Sequence, residues 1–223
     1  MMRLLIACAA LVTLAAAPGP ARDWRSVVAT TPAGSFTVGN PLARIKLVEY
    51  LSFTCAHCAH FVRDSKAALH DTLVRNGSVQ VETRAAMRDP FDVAAWSVAR
   101  CGGPRQFHRL ATAIFAAQDD WTKRGSAWAQ ANLAGLNALP PRRQIRAIAD
   151  RSGLSAIGAR AGVTSAALTA CLASDVQLKQ LTALTDAAFA KIAGTPGFEI
   201  NGTLAPGADW ASLEPQIRAA GAQ

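Results

Sequence analysis

Cys55-Ala56-His57-Cys58 is the stretch of this sequence whose residue types and spacing can do chemistry. Two cysteines with two residues between them, at the start of a helix, lie about one turn apart, so either sulfur can attack a disulfide made by the other. Unpaired N–H groups and the helix dipole favour negative charge at such a start. They lower the pKa of the first thiol and make Cys55 the nucleophile, with Cys58 resolving the mixed disulfide. His57 adds a cationic or hydrogen-bonding group beside the same sulfur. Any group that stabilises the reduced thiolate makes the disulfide a stronger oxidant.

Other chemistries fit less well. Half a zinc site could take His60 as a third ligand, but no second C-x-x-C accompanies it. Haem attachment needs a histidine directly after the second cysteine, and Ala59 stands there. A purely structural bridge fits poorly with a two-residue spacer at a helix start. No metal and no cofactor is therefore expected, and His60, His70 and His108 read as surface or capping residues.

These sulfurs need a strand before them and a helix after them. Residues 45–53, IKLVEYLSF, are rich in β-formers and largely apolar, as a buried central strand requires. Beyond Cys58 the period changes. Phe61, Leu69, Leu73 and Val74 can share a helical face, which Asn76-Gly77 ends. Residues 79–87 read as the next strand, giving strand, helix, strand and a right-handed parallel crossover.

Upstream, residues 35–38 alternate as a short edge strand, and Gly39-Asn40-Pro41 is a turn. Residues from about 90 to 190 read as helices, with segments at 92–100, 106–118, 144–151 and 165–174. Residues 198–200 form a short strand, Asn201-Gly202 a hairpin turn, and 210–220 a terminal helix. The expected fold class is α/β, with a helical insertion in one domain spanning 22–223.

The first residues set the expected compartment. Arg3 precedes an apolar run from Leu4 to Ala17, followed by Pro18, Gly19, Pro20 and Ala21. This is the pattern of a secretory signal peptide over residues 1–21. Leu5-Ile6-Ala7-Cys8 resembles a lipoprotein box, but the apolar run continues past Cys8, so a lipid anchor is not expected. Removing 1–21 takes away Arg3 and no acid, so the net charge falls from +8 to about +7. The remaining charges are scattered and no nucleic-acid motif accompanies them.

Without Cys8, four cysteines remain, an even number in an exported chain, which suggests two disulfides. Three pairings are possible; Cys55 and Cys58 are close enough in sequence to form the compact redox pair, which leaves Cys101 with Cys171.

Two segments resemble one known family. VEYLSFTCAHCAHF is similar to the active-site segment of DsbA-like periplasmic thiol–disulfide oxidoreductases, and GTPGFEING to their cis-proline loop. The resemblance covers roughly Gly34 to Ala220. It implies a thioredoxin fold with a helical insertion between the two motifs, and an enzyme that donates disulfides to exported proteins. It also implies re-oxidation by a quinone-linked membrane partner, in a protein expected to be monomeric and periplasmic. By the resemblance Cys55 is the nucleophile, Cys58 the resolving cysteine and His57 the tuning group. Glu49 is a buried acid near Cys58 that relays its proton. Pro196 is the cis-proline, with Thr195 before it offering backbone to substrate. Two positions depart from the pattern: Ala56 replaces a proline, and Glu199 replaces an apolar residue and either faces out of an alternating strand or colours substrate choice. An isomerase or reductase, and a periplasmic metal-binding protein using Cys55, Cys58 and His60, are the alternatives.

Overall fold

Six strands form one sheet in the computed structural model, which describes residues 22–223. They are β1 (Val28–Thr30), β2 (Phe36–Gly39), β3 (Ile45–Leu51), β4 (Val79–Ala85), β5 (Gly197–Ile200) and β6 (Thr203–Ala205), in the order β1-β2-β4-β3-β5-β6. The expected signal segment and Cys8 lie outside the described residues. Only β3 and β4 are parallel, with Leu47 opposite Val81 and Leu51 opposite Ala85. A parallel pair needs a crossover, and helix α1 (Ala56–Ser65) supplies it. Its continuation, Lys66–Val74, is a π-helix.

β3 has neighbours on both sides, and every residue but Lys46 is buried. That is why its sequence is a nearly unbroken apolar run. β4 alternates instead, with Val79, Val81, Thr83 and Ala85 buried. The sequence places both strand ends two residues too late. The chain turns after Leu51, where the N–H of Cys55 donates to the Ser52 carbonyl. The expected edge strand at 35–38 is internal, because β1 pairs with its outer side. β1 has one half-buried residue and two exposed ones, so its sequence carries almost no apolar signal. At Gly39, φ is +112° and a Cβ would sit 2.7 Å from the Val79 carbonyl oxygen, which explains glycine there.

Between β4 and β5 the chain forms α2 (Pro90–Arg100), α3 (Pro104–Ala116), α4 (Gln118–Ala131), α5 (Leu133–Asn137) and α6 (Pro141–Ser152). They are followed by α7 (Leu154–Arg160), α8 (Ser165–Leu172) and α9 (Asp175–Phe189), and α10 (Trp210–Ala219) follows β6. This is a thioredoxin fold with a helical insertion, as the family resemblance implied. The expected helix at 106–118 breaks at Ala117, and Gln118 begins the next one. Among the described residues, no helix is long and apolar enough to cross a membrane.

A chain of aromatic rings ties the insertion to the sheet. Phe36 of β2 stacks on Phe107 of α3 at 4.2 Å between centroids, and Phe107 lies 5.7 Å from Trp96 of α2. Trp96 packs on Phe53 at 5.0 Å, and Phe53 on Phe115 at 4.5 Å. Phe36, Trp96, Phe107, Phe53 and Phe115 are all buried, so Phe53, two residues before Cys55, is locked into the core. On the other side of the redox pair, Phe61 of α1 packs 4.5 Å from Phe198 of β5.

Cys101, at the end of α2, is bonded to Cys171 of α8 across 70 residues. Closing a loop of that length removes unfolded-state entropy worth roughly 4 kcal/mol. A Cys101→Ser/Cys171→Ser double variant should therefore unfold in urea with about that loss, while keeping the far-ultraviolet circular dichroism of the parent.

Candidate active site

Cys55 occupies the N-cap of α1 with extended backbone (φ −90°, ψ 117°), and Cys58 lies inside the first turn. Both are buried free thiols. Cys58 lies on the buried face of α1 that it shares with Phe61 and Ser65. The Ser52 N–H points at Cys58 Sγ from 3.5 Å. Cys55 faces the loop before β5, where its thiol donates to the Thr195 carbonyl at 3.2 Å.

The two thiols ionise very differently. Cys55 is lowered to about 4, chiefly by a hydrogen bond from the Cys58 thiol. The Thr195 hydroxyl, the Cys58 backbone N–H and the charge of Arg88 act in the same direction, against burial. Once Cys55 ionises it no longer donates to the Thr195 carbonyl. The Thr195 hydroxyl, buried and otherwise without a partner, is then the donor within reach. Cys58 is pushed up, first by burial and then by the hydrogen bond its thiol donates to Cys55, and stays protonated.

The Thr195–Pro196 bond is cis. Pro196 is buried, and Gly197 follows where a Cβ would meet the Ile192 side chain at 2.7 Å. His57 is exposed on the outer face of α1, with its ring centroid 6.5 Å from that of His60. The groups acting most strongly on Cys55 are Cys58, Thr195 and Arg88, none of them His57.

Glu49 is buried on β3 between Thr83 and Phe198, and burial raises its carboxyl to about 8. It opens into a cavity of about 360 Å³ with Val62, one turn beyond Cys58, and with Lys66 and His70. His70 and His108 are half-buried rather than exposed: both line this cavity, with ring centroids 6.3 Å apart. Glu199 does not face outward either. It is buried, accepts the Tyr50 hydroxyl at 2.8 Å, and pairs with Lys191 at 2.6 Å, an inward-turned acid whose partners stand on β3 and just after α9.

Sequence reading missed a group of residues beneath the redox pair. Gln118 is buried, and its amide donates to the carbonyls of Phe53 at 2.7 Å and Cys55 at 3.0 Å. Asp92 is fully buried at the start of α2 and accepts the N–H of Phe53 at 2.7 Å and of Arg88 at 3.1 Å. Burial raises Asp92 to about 7 against those bonds. The Asp89-Pro90 pair was a visible helix start, but nothing local could say which loop the acids would meet.

A thioredoxin family profile matches residues 31–219, so this chain belongs to that family. The protein-disulfide isomerase of Novosphingobium aromaticivorans is 35% identical with a TM-score of 0.75, over 82% of this chain and 95% of that one. Wolbachia pipientis alpha-DsbA1 shares the fold at a TM-score of 0.66 and 18% identity, over 85% and 92%. A Rickettsia typhi protein, provisionally named a protein-disulfide oxidoreductase, is 29% identical over 171 residues, 74% of this chain and 54% of that protein. The chain thus spans about half the length of the curated relatives it matches.

The lowered Cys55 value has a consequence for stability. A thiol depressed in the folded state stabilises it fully above the ordinary pKa of 9.0, and this is lost as pH falls through about 4. The oxidised form lacks that thiol, whereas Glu49 and Asp92 occur in both forms and to first order drop out of the difference. The melting temperature of the reduced protein, relative to the oxidised, should therefore fall steadily from pH 9 to pH 4.

Proposed function

We propose that this chain is a protein-disulfide oxidoreductase working as a dithiol oxidase, with Cys55 as its nucleophilic cysteine. The carrying observation is the split between a Cys55 thiol lowered to about 4 and a Cys58 thiol that stays protonated. A reduced form stabilised in this way leaves the disulfide easily given up.

In the reaction, a substrate thiolate attacks Cys55 Sγ of the Cys55–Cys58 disulfide. The Cys55–Cys58 bond breaks, a bond from Cys55 to substrate forms, and Cys58 leaves with the electron pair. Glu49, neutral at pH 7 because of its burial, gives Cys58 a proton and regains one from the cavity beneath α1. The second substrate thiolate then attacks its partner sulfur in the mixed disulfide and expels Cys55 as the stabilised thiolate. The substrate loses two electrons to the cysteine pair. The Thr195 backbone is placed to pair with an extended substrate segment, in the manner of strand addition, and Pro196 holds that loop. His57, exposed beside the pair, meets substrate or partner rather than the sulfur of the resting enzyme. Cys101–Cys171 is structural. Residues 22–223 act as one thioredoxin-like domain after export, in the periplasm. The reduced pair is returned to the disulfide by a quinone-linked membrane oxidase.

The Novosphingobium relative's name favours a second reading, disulfide isomerisation. Stoichiometric oxidation of a model dithiol peptide by the pre-oxidised protein separates the two. The oxidase reading predicts one peptide disulfide per protein and loss of the reaction in Cys55→Ser. Slow or incomplete oxidation, with faster rearrangement of a scrambled substrate by the reduced protein, would favour the isomerase. Cys58→Ser, which keeps the nucleophile, should accumulate mixed disulfides visible by mass.

A further inference from the structure

The turn carrying Cys55 is held from outside the sheet. Its backbone and side chains meet polar groups from the β4–α2 junction at nearly every position. The Ser52 hydroxyl and the Thr54 carbonyl accept from the Arg88 guanidinium at 3.0 and 2.6 Å. The Thr54 hydroxyl donates to Asp89 at 2.7 Å. Asp92 accepts the Phe53 N–H with one carboxylate oxygen and the Arg88 N–H with the other, so it ties the turn to the residue that grips it. Asp89 caps α2 by accepting the Asp92 N–H at 2.9 Å, which fixes Asp92 in place.

Asp92 is a carboxylate with no exposed surface, in a position where an apolar residue would cost less. Two backbone donors converge on it, and one belongs to the turn two residues before the nucleophile. A displacement of that turn carries Cys55 Sγ away from the α1 N–H groups and from Thr195, the contacts that favour its anion. We propose that Asp92, together with Arg88, is a positioning residue for the redox pair that keeps the Cys55 sulfur at the α1 start and so sets how readily the disulfide is given up. The inference rests on the oxidoreductase reading above and assigns the insertion a part in it, since Asp92 and its helix lie outside the strand–helix unit that carries the cysteines.

The test uses the full chain with Asp92→Asn, Arg88→Met and Arg88→Lys. The amide of Asn keeps the shape but offers one oxygen where two N–H groups converge. The readouts are the pH midpoint of Cys55 alkylation in the reduced protein and the equilibrium constant with glutathione. Asp92→Asn should raise the midpoint by about one unit and lower the oxidising equilibrium constant about tenfold. Arg88→Met should move both in the same direction, and Arg88→Lys should restore part of the change. A purely structural Asp92 would lower the unfolding midpoint and leave both readouts where they are, which would overturn the proposal. Arg88 is exposed, so its variants decide the matter if Asp92→Asn does not fold: unchanged readouts in Arg88→Met would then overturn it. Dithiol oxidation by the unmutated protein is measured in parallel. Its failure alongside a shifted midpoint would remove the oxidase reading and leave the positioning role standing.

Discussion

The negative charge that Cys55 can hold depends on three donors converging on one sulfur: the Cys58 thiol, the Thr195 hydroxyl and the Cys58 backbone N–H at the start of α1. They come from two places along the chain. Cys58 is three residues away and Thr195 is 140, so the helix alone cannot complete the site. Burial opposes the charge, and the site works because the donors outweigh that penalty at Cys55 while burial prevails at Cys58.

Much of the fold serves that convergence. β3 sits between β4 and β5, so the strand that ends just before the redox turn is flanked by the strand that follows the cis-proline. Glu49 opposite Phe198 and Tyr50 opposite Gly197 put Thr195 across from the turn. Phe61 against Phe198 packs α1 onto the same strand. From the other side, Phe53 joins the aromatic chain that runs to Phe36, and Gln118 and Asp92 bind its backbone. The insertion thus contributes both the apolar wall and the polar grip beneath Cys55.

The sequence made the local parts of this legible. The spacing of Cys55 and Cys58, the period change after them, the apolar run of β3 and the Asn201-Gly202 turn are short-range signals, and each corresponds to an element at nearly the expected place. The parallel crossover followed from their order. What was hidden is long-range or weakly patterned. β1 buries little and so carries no period, which made β2 look like an edge. The wider turn of the π-helix at Lys66–Val74 has no residue that announces it. Glu199 would face out in an exposed alternating strand, but Tyr50 and Lys191 receive it inside. Arg88, Asp92 and Gln118 stand 33, 37 and 63 residues beyond Cys55, and only the folded chain brings them under it. His57 is adjacent in sequence to the sulfur it was expected to tune, and the helix leaves its side chain exposed.

The contrast between the two sulfurs rests on the ionisation of one thiol, and a direct titration addresses it. Ultraviolet thiolate absorbance of the reduced protein, followed with pH and compared with Cys55→Ser, reports it without any substrate or partner. A one-thiol transition is expected near pH 4 and absent from Cys55→Ser, with Cys58 still protonated up to the alkaline range. A first transition near the ordinary value of 9.0, or an acidic transition that survives in Cys55→Ser, would contradict it.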